Sequence, residues 1–84
     1  MENRNEVTQY KIMLKPEEIQ RFIQEADRCD FDVDISADSH VVDAKSILGI
    51  CGLDLSRVLT VRCHGYDPDF AECLKKYAAE ERVK

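Results

Sequence analysis

The stretch "FDVDISADSHVVDAKSILGI", Phe31–Ile50, reads as a strand, a turn, a returning strand and a helix start in unbroken succession. Phe31, Val33 and Ile35 alternate with Asp30, Asp32 and Asp34. Neighbouring side chains on a strand point to opposite faces, so the apolar set is expected to turn inward while the aspartates meet water. "SADSH" (36–40), which includes His40, has turn chemistry, and "VVD" (41–43) is expected to return as the second arm of a hairpin. Ser46, directly after Lys45, then opens a short helical segment, "SILGICGL" (46–53), whose two glycines limit its length and stability.

The rest of the chain fits around that hairpin. Upstream, "QYKIML" (9–14) alternates with Tyr10, Ile12 and Leu14 on one face, the pattern of a strand. At Pro16 the period changes. Proline suits a first helical turn, Glu17 and Glu18 complement the positive end of the helix dipole, and Ile19, Phe22, Ile23 and Ala26 fall at helical spacing. The expected helix runs from Pro16 to Arg28. Downstream, "VLTVRCH" (58–64) alternates Leu59, Val61 and Cys63 against Thr60, Arg62 and His64, a further strand. In "DPDF" (67–70), Asp67 reads as an N-cap and Pro68 as the first turn of a long last helix with Phe70, Leu74, Tyr77 and Cys73 along its apolar side. The order is β-α-β-β-α-β-α. Antiparallel strands with one wet face need helices on the other, so the expected class is a two-layer α+β sandwich.

Eighty-four residues are expected to form a single domain (1–84, with 1–5 and 81–84 frayed). A chain of this size buries only ~60–65% of its unfolded surface, so its stability should be modest. The hydrophobic share of 44% and charged share of 35% are those of a globular domain. No run approaches the ~18 apolar residues of a membrane span, and the polar start "MENRNEVTQY" has no apolar stretch of a secretory signal. A cytoplasmic location without membrane contact is the expectation. The net charge of −5, with no basic stripe, argues against direct nucleic-acid binding.

The four cysteines, Cys29, Cys51, Cys63 and Cys73, include no C-x-x-C pair, and their spacings of 22, 12 and 10 residues do not match structural zinc patterns. Cys63 and His64 are neighbours on a strand and point to opposite faces, which disfavours a shared metal. Free thiols serving as small apolar residues are expected, with no metal and no cofactor.

Ser46 carries the most chemistry. As an N-cap its hydroxyl accepts a backbone N–H of the first turn, worth ~1 kcal/mol against alanine. The same position would welcome a phosphate, which adds about −1.5 to −2 charge where a helix start favours an anion. Lys45 offers a nearby cation, and Ile47, Leu48 and Cys51 follow on a helix too short to bury them all. Capping alone is a sufficient reason for the serine.

"VDAKSILGI" (42–50) resembles the regulatory-serine segment of HPr, the small phosphocarrier of the bacterial sugar phosphotransferase system. The resemblance extends from Pro16 to about Tyr77 in the order and spacing of elements. It implies an open-faced β-sandwich, a four-stranded antiparallel sheet with three helices on one face. It also implies a histidine before the first helix, in a Gly-(aliphatic)-His-Ala-Arg-Pro pattern, that takes phosphate from enzyme I and passes it to sugar-specific proteins. Here the corresponding residues are "IMLKP" (12–16), without a histidine. Aligned without a gap, Lys15 takes the histidine position and Glu17 the arginine position. Aligned through Pro16 instead, Met13 replaces histidine and Lys15 arginine, but two extra residues inside the helix would rotate its apolar stripe by about 200°. The ungapped correspondence is preferred.

The chain is therefore similar to histidine-less HPr paralogues such as the catabolite-repression HPr homologue. That similarity implies a non-enzymatic regulatory or interaction module. Ser46 would be phosphorylated by HPr kinase/phosphorylase, and Lys45, Ile47, Leu48 and Cys51 would meet a protein partner of carbon regulation. Glu17 departs from the family arginine that assists the regulator complex, because an acid would repel phosphoserine. The alternatives are a phosphocarrier with an atypical acceptor, His40 or His64, and a structural paralogue in which Ser46 only caps. A monomer or weak dimer is expected.

Overall fold

A computed structural model describes residues 7–82. The first strand, β1 (Thr8–Ile12), leads through a single 3-10 turn (Pro16–Glu18) into α1 (Ile19–Asp27). The hairpin follows as β2 (Val33–Ala37) and β3 (His40–Asp43), then the short α2 (Ile47–Cys51), β4 (Leu59–Cys63), α3 (Pro68–Lys75) and α4 (Ala79–Arg82). The strands form one sheet in the order β1-β4-β2-β3, every neighbouring pair antiparallel. This is the α+β sandwich with an open sheet face expected from the sequence. Of the termini expected to fray, 1–5 and 83–84 lie outside the described residues.

The register explains the two-faced pattern. One row across the sheet joins Tyr10, Val61, Ile35 and Val42 on the side that the helices cover. The next row joins Lys11, Thr60, Ser36 and Val41 on the open side, where the Lys11 ammonium donates to the Thr60 hydroxyl at 2.8 Å. A one-residue slip would exchange the two rows, so burial of the first fixes the pairing. Asp38 and Ser39 alone close the hairpin, with Asp38 at φ 55°, a conformation aspartate tolerates better than most residues.

The core centres on Phe22 of α1, which is fully buried. Its ring meets Tyr77 edge-on, with centroids 5.9 Å apart at 78°, and Phe70 at 6.2 Å. Ile19 and Ala26 are buried beside it and Ile23 is half-buried, the stripe expected from helical spacing. Glu25, also on the buried side, is satisfied there: its carboxylate accepts from the Tyr77 hydroxyl at 3.2 Å and pairs with Arg21 at 3.5 Å.

Besides the first helix, whose expected opening at Pro16 is a 3-10 turn with the α-helix running only over Ile19–Asp27, four boundaries differ from the sequence expectation. The alternation of Phe31, Val33 and Ile35 begins one step early, because β2 starts at Val33 and Phe31 lies in the preceding connection. There its ring leaves no room at Gly65, where a Cβ would fall 2.5 Å from it. Leu14 is buried but lies past the end of β1, and Tyr10 is only half-buried. His40 is not in the turn: it is the first residue of β3, paired with Ala37. Finally, the expected long last helix is interrupted. The Tyr77 carbonyl accepts from Met13 N at 2.9 Å and Ala78 bridges to Ile12, so the outer edge of β1 takes hydrogen bonds that a continuous helix would have kept.

Candidate functional site

The residues singled out by sequence gather at two helix starts. At the first, β3 ends on Asp43, whose carboxylate accepts from Lys45 N at 2.9 Å and whose carbonyl accepts from Ser46 N at 3.0 Å. That turn leaves Ser46 extended (φ −108°, ψ 114°), the geometry of an N-cap, and its Oγ accepts from Gly49 N at 3.1 Å. Gly49 suits a tight approach, since a Cβ there would fall 3.0 Å from that of Val42 on β3 and push the two apart by a few tenths of an ångström. Five residues cannot turn every apolar side chain inward. Ile50 is fully buried, whereas Ile47 is 50% and Leu48 86% exposed, and Cys51 is exposed beside them.

Lys45 departs from the surface position expected for it. It is half-buried, and its Nζ donates to the carbonyls of Cys29 at 2.9 Å and Phe31 at 3.0 Å. The ammonium thereby ties the turn before α2 to the connection between α1 and β2.

At the second start, Lys15 is the extended residue before the Pro16–Glu18 turn (φ −90°, ψ 152°). Its N–H donates to Glu18 Oε1 at 3.0 Å, while Glu18 N donates back to the Lys15 carbonyl at 2.9 Å. Pro16 has no N–H to offer. An incoming anion would therefore find one donor absent, another already held by a carboxylate, and the exposed acid Glu17 alongside. Lys15 lies with Met13, Leu14, Pro16, Leu55 and Ser56 around a depression of about 430 Å³, so the structure brings it to the connection after α2. Ser46 and Leu48 do not line that depression.

The two histidines lie elsewhere. His40 sits at the hairpin end, near Asp54 and Arg57. His64, just past β4, has its Nε2 at 3.1 Å from Asp34 Oδ2 on the open face. Neither belongs to the start of α1.

Among the described residues, no group of three or more potential ligands could hold a metal ion. All four cysteines are free; Cys29 and Cys63 are buried, and Cys73 partly so. Burial pushes the Cys29 and Cys63 thiols up to about 11 and the Tyr77 phenol up to about 12, so all three favour their neutral forms. No helix among the described residues is long and apolar enough to cross a membrane.

Sequence reading missed three features around these starts. The Glu18 closure was available in principle, since an acid three residues after a cap is a known spacing. The destination of Lys45 had no side-chain signal, because its acceptors are backbone carbonyls. Arg57 clamps the hairpin tip to the connection after α2, reaching Asp38 at 3.1 Å and Asp54 at 3.3 Å. Hydrogen bonds from Ser56 hold the Asp54 carboxyl below its usual range.

No family model matches the chain, and no curated protein matches it by sequence. Among solved structures, it is similar to the crystal structure of a phosphocarrier protein HPr from Bacillus anthracis str. Ames. The two share 29% identity over 88% of this chain and 99% of that one, with a TM-score of 0.69.

Proposed function

Because the chain has an HPr-like fold, we propose that it is a protein related to the sugar phosphotransferase system that acts as a non-enzymatic regulatory or interaction module in the cytoplasm, with Ser46 as its phosphorylation site. Ile47, Leu48 and Cys51 form the surface read by a protein partner, an HPr kinase/phosphorylase or a protein of carbon regulation. Lys45 supports that surface from behind. The observation that carries this reading is the short α2: a serine caps it, and the apolar Ile47 and Leu48 beside that serine stay at 50% and 86% exposure.

Modification is chemically simple. A kinase transfers the γ-phosphoryl of ATP to Ser46 Oγ; the new O–P bond forms as ADP leaves, and the hydroxyl proton passes to a base on the kinase. The phosphate oxygens then replace the hydroxyl as acceptors for the first backbone N–H groups of α2.

The start of α1 supports loss of the carrier role. Ungapped alignment puts Lys15 at the histidine position, and the buried Ile19, Phe22 and Ala26 stripe is the one that this register preserves. Glu18 already supplies the negative group there, and Glu17 stands where the family arginine would meet a phosphoserine-reading regulator. Incubation with HPr kinase and ATP, followed by phosphosite mapping, tests the proposal. Phosphate on Ser46 is expected, and a protein left unlabelled there overturns the switch.

One observation favours a second reading: the Ser46–Gly49 hydrogen bond is by itself a complete reason for the serine. In that case the chain is a structural paralogue, and Ser46→Ala would leave partner binding unchanged.

A further inference from the structure

We propose that Lys45 is a positioning residue that transmits the charge state of Ser46 to the α1–β2 connection. The inference rests on Ser46 as the modified residue and adds a consequence inside the fold. In the unmodified protein the Lys45 ammonium bridges the Cys29 and Phe31 carbonyls at 2.9 and 3.0 Å. Those carbonyls lie in the connection that follows α1, and Phe31 packs directly onto Gly65, between β4 and α3.

The charges around the serine favour a rearrangement. Asp43 sits in the same turn, its carboxylate on Lys45 N at 2.9 Å, so a phosphate on Ser46 would place a second anion beside an existing one. Lys45 is the adjacent residue and the only cation in that turn. Its present acceptors are neutral carbonyls. A dianionic phosphate attracts an ammonium more strongly than either carbonyl does, because it adds to the hydrogen bond a Coulomb attraction between opposite charges that a neutral carbonyl lacks. Phosphorylation therefore draws the ammonium off Cys29 and Phe31 and loosens the connection it was bridging. A modification on α2 is felt at the end of α1 and at β2, in a part of the molecule that the phosphate does not touch.

Phosphoserine placed at position 46 during translation makes the test independent of any kinase, so failure of kinase labelling and failure of this coupling remain separate results. Amide hydrogen exchange is followed at Cys29, which donates to the Ala26 carbonyl, and at His64, which donates to the Asp32 carbonyl. Both should exchange about tenfold faster or more in the phosphoserine protein than in the unmodified one, as expected for local opening. In Lys45→Met both should already be fast, and phosphoserine should add nothing further. Lys45→Arg keeps the charge and serves if the methionine variant fails to fold; its exchange at Cys29 should again rise on phosphorylation. The ammonium resonance of Lys45 gives a second readout, expected to shift on phosphorylation as its acceptors change from carbonyl oxygens to phosphate oxygens. Unchanged exchange at Cys29 and His64 on phosphorylation overturns the proposal. So does an equal phosphorylation response in the parent protein and in Lys45→Met.

Discussion

At the start of α1 the N–H of Lys15 is closed by the Glu18 carboxylate at 3.0 Å, whereas at the start of α2 the N–H of Gly49 is closed by the Ser46 hydroxyl at 3.1 Å. Both closures satisfy a donor that a helix leaves unpaired. They differ in what can happen next. A carboxylate already carries the negative charge that a helix start favours, and it repels a further anion. A hydroxyl is neutral and can be converted to an anion by a kinase. The helices differ in the same sense: α1 buries a full stripe against Phe70 and Tyr77, while α2 buries Ile50 and leaves Ile47 and Leu48 outside. One start is closed by a charge and packed into the core; the other is capped by a neutral hydroxyl and leaves apolar side chains exposed.

Removing the framework should have the largest effect. Phe22→Ala is expected to cost about 3–5 kcal/mol in chemical denaturation, the usual range for emptying a buried aromatic site. A loss near 1 kcal/mol would mean that α1 is not the anchored helix of the pair.

Alkaline titration should weaken the same core next. The Cys29 and Cys63 thiols rise from 9.0 to about 11 and the Tyr77 phenol from 10.0 to about 12, with burial the first cause in each case. A folded-state pKa above the unfolded one contributes stability that is fully present below the unfolded value and is lost as pH rises through the folded value. The melting temperature should therefore hold up to pH 9 and fall between pH 9 and 12. A flat profile across that window would contradict the burial of these groups.

A smaller change is expected at α2. Ser46→Ala should cost ~1 kcal/mol, and Ser46→Asp should stay near the parent because aspartate caps as well as serine. Equal losses for both variants would show that the Gly49 bond does not hold the helix start. The smallest effect belongs to Glu18→Gln, which keeps an acceptor for Lys15 N but removes the charge. A loss of ~0.3–0.5 kcal/mol that shrinks with added salt is expected from the dipole interaction.

Most of the fold was readable because period-2 alternation survives in β2 and β4, where one face is buried and the other wet, and because Asp67-Pro68 and Ser46 are strong local helix starts. The sequence misled where a distant contact decides. Nothing near Tyr77 signals that its carbonyl will serve Met13, so the last helix reads as continuous. His40 reads as a turn residue because the turn needs only Asp38 and Ser39. At the candidate site, the cap and the exposed Ile47 and Leu48 followed from the shortness of α2. Lys45 did not, since two backbone carbonyls, invisible in a sequence, outcompete the surface for its ammonium.

The contrast between the two helix starts is tested most directly by phosphosite mapping after two parallel incubations, one with HPr kinase and ATP and one with enzyme I and phosphoenolpyruvate. Phosphate on Ser46 in the first and none on His40 or His64 in the second is the expected outcome. An unmodified Ser46, or an acid-labile phosphohistidine at either position, would contradict it.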